Sequence, residues 1–267
     1  MLEVAKDLKV ESDIIFSFLD TLQPQDWKQN TDFKNWSPWD VIAHLHYFDQ
    51  VSMAALLGKE KFEEEKRSFI ASLKKGQTNQ EIAAERFRDT PGNVLLNQWH
   101  STITELSDSL GNCDPEIRLP WFGPDMGLRM FTTARFMETW AHVQTIYDLK
   151  ETKREYTDRI KNVALIGIKT YGWTFLNRKI DVPGEPPYVK LHSPSGTIWE
   201  WNEPNNSNYI KGNAIEFCFV VTQVRNVLDT DLIVKGKTAE KWMSIAQCFA
   251  GPVVDPPKPG TRGIRKN

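Results

Sequence analysis

The chain has 267 residues, 33 Lys and Arg against 35 Asp and Glu, a formal net charge of −2, and a 40% hydrophobic share that includes ten Trp and fourteen Phe. That length suits one large domain or two of roughly 100–150 residues each, and the composition supplies apolar bulk for real cores. Basic residues are spread along the chain rather than gathered into a stripe, which excludes nucleic acid and an anionic membrane surface as expected partners.

No run is long and apolar enough to predict a membrane span. Residues 1–13 mix charges with single apolar residues, unlike the apolar core of a secretory signal. Cys113, Cys218 and Cys248 lack CxxC spacing and predict neither a disulfide framework nor a thiolate metal site. A cytoplasmic location is the matching expectation.

In chain order, Leu8, Ile14, Ile15, Phe18, Leu19 and Leu22 fall at helical spacing and predict a first helix to about residue 22. Ser37, Pro38 and Asp40 form a helix start, with Ser37 as N-cap, Pro38 at the first helical position and Asp40 three residues after the cap, so a second helix is expected to about Leu57. The charged stretch 58–90 predicts some helix between Lys59 and Lys74 and closes at Pro91-Gly92. A helix over 93–110 follows, then the aromatic loop Pro120-Trp121-Phe122-Gly123-Pro124, then a long helix over 127–149. Four long helices joined by moderate loops predict a four-helix bundle over residues 1–155.

Beyond Glu155 the pattern changes. A helix over 156–175 precedes an alternating strand at 188–192, a Ser193-Pro194-Ser195-Gly196 turn and a returning strand at 197–201. A short apolar helix (214–224), a strand (232–234) and an amphipathic helix (238–249) complete an α+β domain over 156–255 with an antiparallel sheet. Residues 256–267, rich in Pro, Gly, Lys and Arg, predict a flexible tail.

Two features carry chemistry. Glu138 and His142 are four residues apart, so on a helix their side chains can converge; such a pair is more often a surface hydrogen bond, but Phe136, Trp140 and Val143 make this helix largely buried, and an inward carboxylate then needs a partner or a metal. His44 lies in the densest apolar run of the second helix, where it fits a core histidine or a ligand equally well. His46 points about 200° around the helix from His44 and faces another side.

The string Trp36-Ser37-Pro38-Trp39-Asp40-Val41-Ile42-Ala43-His44-Leu45, followed by Ala134-Arg135-Phe136-Met137-Glu138-Thr139-Trp140-Ala141-His142, resembles the mycothiol-dependent maleylpyruvate isomerase branch of the DinB-like superfamily. The resemblance implies a DinB-like four-helix bundle that holds a divalent metal, typically zinc, through His44, Glu138 and His142, followed by a sterol-carrier-like α+β domain. It departs at Val143 and Thr145, where members often carry Gly and an Asp that orients the site, a role for which Asp148 is out of register. It departs also at Gln247-Cys248-Phe249-Ala250-Gly251, where the isomerases carry a string with a functional arginine. These differences place the chain in a sister group.

A site of two imidazoles and one carboxylate keeps open positions. The implied activity is a thiol-dependent transferase or isomerase acting on a small electrophile, with a low-molecular-weight thiol as cosubstrate. A non-catalytic metal-stapled module for a small molecule or lipid, and an iron oxygenase built on the facial triad, are the alternatives. Trp121, Arg129 and Arg135 are candidate substrate contacts, each with a duller alternative as core plug or ion-pair partner, and Arg225 is a looser candidate from the second domain. Sequence alone leaves the oligomeric state open.

Overall fold

The computed structural model describes residues 2–263. The chain divides into two compact units, Met1–Val143 and Gln144–Asn267.

The first unit is helical. Helix α1 (Glu3–Leu19) buries Val4, Leu8, Ser12, Ile15 and Leu19, which takes in Leu8, Ile15 and Leu19 of the expected stripe but leaves Ile14 exposed, and packs on α5. Helix α2 (Pro38–Leu57) begins where its signals put it: the Asp40 amide donates to Ser37 Oγ at 3.2 Å, the Ser37 amide donates to Asp40 Oδ2 at 2.8 Å, and Pro38 occupies the first turn. Every residue from Val41 to Asp49 is buried, so α2 is the central helix of the bundle rather than a one-sided one. Helix α3 (Lys59–Lys74) buries only Phe62 and Phe69. Helix α4 (Asn79–Arg86), which the hydrophobic spacing did not predict, starts at a Thr78/Glu81 capping box. Helix α5 (Gly92–Asn112) presents Leu95, Leu96, Trp99, Ile103, Leu106 and Leu110 to the core. A two-residue pair, β1 (Arg118–Leu119) against β2 (Met126–Gly127), carries the aromatic loop and leads into α6 (Leu128–Leu149).

The second unit takes the end of α6, earlier than the expected boundary after Glu155, because Gln144 and Asp148 bond to residues that follow them. Gln144 Oε1 accepts from the Tyr156 hydroxyl at 3.0 Å and from Arg154 at 3.2 Å, and Asp148 accepts from Arg225 at 2.7 Å. The single helix expected over 156–175 is two, α7 (Lys161–Lys169) and α8 (Tyr171–Asn177), divided at Thr170, whose hydroxyl donates back to Ile166 O at 2.7 Å.

Strands β3 (Tyr188–His192) and β4 (Ile198–Trp201) form the expected antiparallel hairpin, with Leu191 opposite Trp199. The sheet is nevertheless mixed, with order β4-β3-β5-β6. Strand β5 (Tyr209–Asn213) pairs parallel to β3, because the connection after β4 carries the chain across β3 to its other side, where β5 starts in the direction of β3. Helix α9 (Ala214–Val221), strand β6 (Ile233–Lys235) and helix α10 (Lys237–Ile245) follow, and Trp242 meets Tyr171 and Phe217 edge-on in the core.

The expected flexible tail from residue 256 is tied down through residue 262. Pro257 O accepts from Asn226 at 2.8 Å, the Gly260 amide donates to Asp229 at 2.8 Å, and the Arg262 guanidinium donates to Gln223 O at 2.6 Å. Residues 264–267 of that segment lie outside the described residues. Among the described residues, no helix is long and apolar enough to cross a membrane.

Because the cap of α2 sets where the helix carrying His44 begins, Ser37→Ala should lower stability by about 1 kcal/mol. Thermal denaturation checks this, and an unchanged Tm would mean that packing alone fixes the start of α2.

Candidate metal centre

Helix geometry explains half of the site. Glu138 and His142 stand one turn apart on α6, and His142 Nε2 lies 3.1 Å from Glu138 Oε2. His44, brought in by α2, places its Nε2 4.0 Å from the same oxygen, an electrostatic contact beyond hydrogen-bond range. One ligand atom from each of the three lies within 4.8 Å of the others, a group that could hold a metal ion.

Aromatic rings wall the cluster. Trp36 lies parallel to the His142 imidazole with centroids 5.7 Å apart, Phe33 meets His142 edge-on at 5.2 Å, and Phe48 sits 4.9 Å from His44. Phe33 and Trp36 are set by a tight turn in which Lys34 and Asn35 both take left-handed backbone conformations and the Trp36 amide donates to Phe33 O at 2.9 Å.

Burial and the facing groups set the charges. Burial pulls the His44 imidazole down to about 4, against the opposing attraction of Glu138, so His44 is neutral at physiological pH. Burial alone would raise the Glu138 carboxyl, but the imidazoles of His142 and His44 outweigh it and hold that carboxyl well below the usual carboxylate range. Neutral imidazole and ionised carboxylate are the protonation states a divalent metal requires. The outer shell is thinner: His44 Nδ1 is buried without a hydrogen-bond partner, in keeping with the lack of an orienting acid in the sequence around the site.

Trp121 is half-buried among Phe62, Phe122 and Phe131, and Phe48 touches both it and His44, so it packs as part of an aromatic cluster. Arg129 is exposed on the first turn of α6. Arg135 is 4% exposed and its guanidinium is committed to Asp49, through Nε at 3.0 Å and a terminal nitrogen at 2.8 Å. Arg225 is paired with Asp148 and lies over the Phe219 ring. His46 faces away from His44, as the helical period predicts, and stacks on Phe87. Sequence reasoning missed Phe33, Trp36 and Phe48 as walls and Asp49 as a buried acid; an Asp inside the apolar run of α2 was the available signal for the last.

The family model of the mycothiol maleylpyruvate isomerase N-terminal domain matches residues 8–147, more than half of the chain, and takes in all three donors. The chain belongs to this family. Proteins from two strains of Mycobacterium tuberculosis, both described as uncharacterized, are 32% identical over 246 residues, covering 92% of this chain and 95% of each relative. Among solved structures, the mycothiol-dependent maleylpyruvate isomerase and a histidine-to-alanine mutant of it superpose with a TM-score of 0.51 at 11% and 10% identity, over 82% of this chain and 87% of theirs. At that identity the likeness to the maleylpyruvate isomerase structures is one of fold, a mixed α+β chain with a helical first part.

Buried neutral histidines make this member of the mycothiol maleylpyruvate isomerase family sensitive to acid. His44 and His46 each titrate near 4 in the folded chain, chiefly through burial, against 6.5 when exposed. The unfolded chain therefore binds more protons between these values, so stability is complete above pH 6.5 and falls as pH drops toward 4, by on the order of 3 kcal/mol per histidine at most. Urea unfolding of metal-free protein across that range should show the decline, and His46→Gln should flatten it; an equal slope in the variant would exclude His46 as a contributor.

Proposed function

We propose that this protein binds a divalent metal ion through His44, Glu138 and His142, with zinc the best fit, and that it acts as a thiol-dependent isomerase or transferase on a small electrophile. The observation that carries the reading is the convergence of two imidazoles and one carboxylate inside an aromatic wall. This donor set is an accepted zinc arrangement with open positions, and two histidines with one carboxylate also suit iron(II). A metal held there supplies Lewis acidity, which lowers the pKa of a coordinated thiol or water toward neutrality.

The chain's own residues do the rest. Glu138 brings the negative charge, the neutral His44 ring brings an uncharged donor, His142 completes the set, and Phe33, Trp36 and Phe48 pack against the two imidazoles. The choice of a thiol over water as the activated partner rests on the mycothiol-dependent isomerase whose fold this chain shares. Among candidate cosubstrates, a low-molecular-weight thiol of the mycothiol kind is therefore the first to test. The Asp49–Arg135 engagement leaves Arg129 as the accessible basic candidate for an anionic substrate group.

Elemental analysis of protein purified without added metal should find about one equivalent of zinc, and His44→Gln and His142→Ala should each lose it while remaining folded. Turnover of small electrophiles should appear only with an added thiol and vanish in both variants. Bound iron would select the oxygenase alternative. Metal removal that lowers Tm sharply, with no thiol ever supporting turnover, would select the metal-stapled binding module.

A further inference from the structure

The charged residues buried nearest the donor cluster are Asp49 on α2 and Arg135 on α6. Asp49 is fully buried; its Oδ1 accepts from Arg135 Nε at 3.0 Å and from a terminal nitrogen at 2.8 Å, and its Oδ2 accepts from Trp99 Nε1 at 3.1 Å. Both oxygens of the carboxylate are thus used, one by each neighbouring helix. A buried ion pair is weak evidence for stability, since well-packed apolar residues often serve as well. What a fork of two N–H donors on one carboxylate adds is directional register.

The register it sets is that of the site. Along α6, Arg135, Glu138 and His142 are spaced three and four residues apart and share one face, with His142 about 10 Å along the axis from Arg135. Along α2, His44 precedes Asp49 by five residues, about 7.5 Å of axial rise. The contacts Asp49 to Arg135 and His44 to Glu138 and His142 are therefore two neighbouring rungs between antiparallel stretches of α2 and α6. Sliding α6 by one turn would break both rungs together.

We propose that Asp49 and Arg135 are positioning residues for the donor cluster, their buried fork fixing the axial register at which His44 on α2 meets Glu138 and His142 on α6. This rests on the metal reading above and assigns the pair no contact with substrate or metal. It also separates Arg135 from the substrate-binding role that its place in the motif suggested.

The test is titration of the full-length metal-free chain with cobalt(II), reading both affinity and the visible d–d bands, which report coordination geometry. The double variant Asp49→Asn/Arg135→Gln removes both charges, so no lone buried charge remains, while an amide stays within reach of Trp99. Arg135→Lys keeps the charge but not the fork. Leu19→Ala, in the core of α1, serves as a variant of lowered stability remote from the pair.

The double variant should bind cobalt on the order of 10-fold more weakly or worse, with shifted d–d bands. Arg135→Lys should fall between it and the unaltered chain, and Leu19→Ala should bind with unaltered affinity and bands despite a lower Tm. Unaltered affinity and bands in the double variant, or in Arg135→Lys should the double variant fail to fold, would overturn the proposal and leave the metal reading standing. Failure of the unaltered chain to bind cobalt would overturn both.

Discussion

An ionised carboxylate on a buried helix face is costly unless something opposite compensates it, and Glu138 meets that demand with two imidazoles. Much of the first unit is arranged around this requirement. The central helix α2 is buried on every side, so His44 reaches Glu138 without a path through solvent. The turn at Lys34 and Asn35 accepts two left-handed residues and thereby brings Phe33 and Trp36 onto His142. Burial keeps the His44 ring neutral, and the facing imidazoles hold the Glu138 carboxyl ionised.

The sequence made parts of this legible for definite reasons. The capping signals at Ser37, Pro38 and Asp40 act within one turn of helix, so the start of α2 could be read from local chemistry alone. The Glu138 and His142 pair was visible because helical spacing is fixed, whereas the arrival of His44 depends on how two helices pack and was available only through the family's pattern. Asp49 and Arg135 were each readable as anomalies in apolar surroundings, but nothing in spacing links residues on separate helices. Arg135 was accordingly weighed both as a substrate contact and as an ion-pair partner of the scaffold, with no partner that spacing could name.

The second unit shows the same limit in strands. The β3–β4 hairpin follows from alternation and a proline-glycine turn, both local. Strand β5 contains Gly212 and follows a run of Asn and Ser, so propensity gave no hint of it, and its parallel pairing with β3 is a property of the chain's path. The segment from residue 256 had the composition of a loose end; the order of residues 257–262 comes from Asn226, Asp229 and Gln223, whose availability no terminal sequence could announce.

The two buried rungs differ in their electrical balance. Asp49 and Arg135 are matched in charge, whereas in the donor rung the Glu138 carboxylate faces a His44 ring that burial keeps neutral. A cation seated among these donors would meet the Glu138 charge at short range, whereas the Asp49–Arg135 rung has no such charge left to offer.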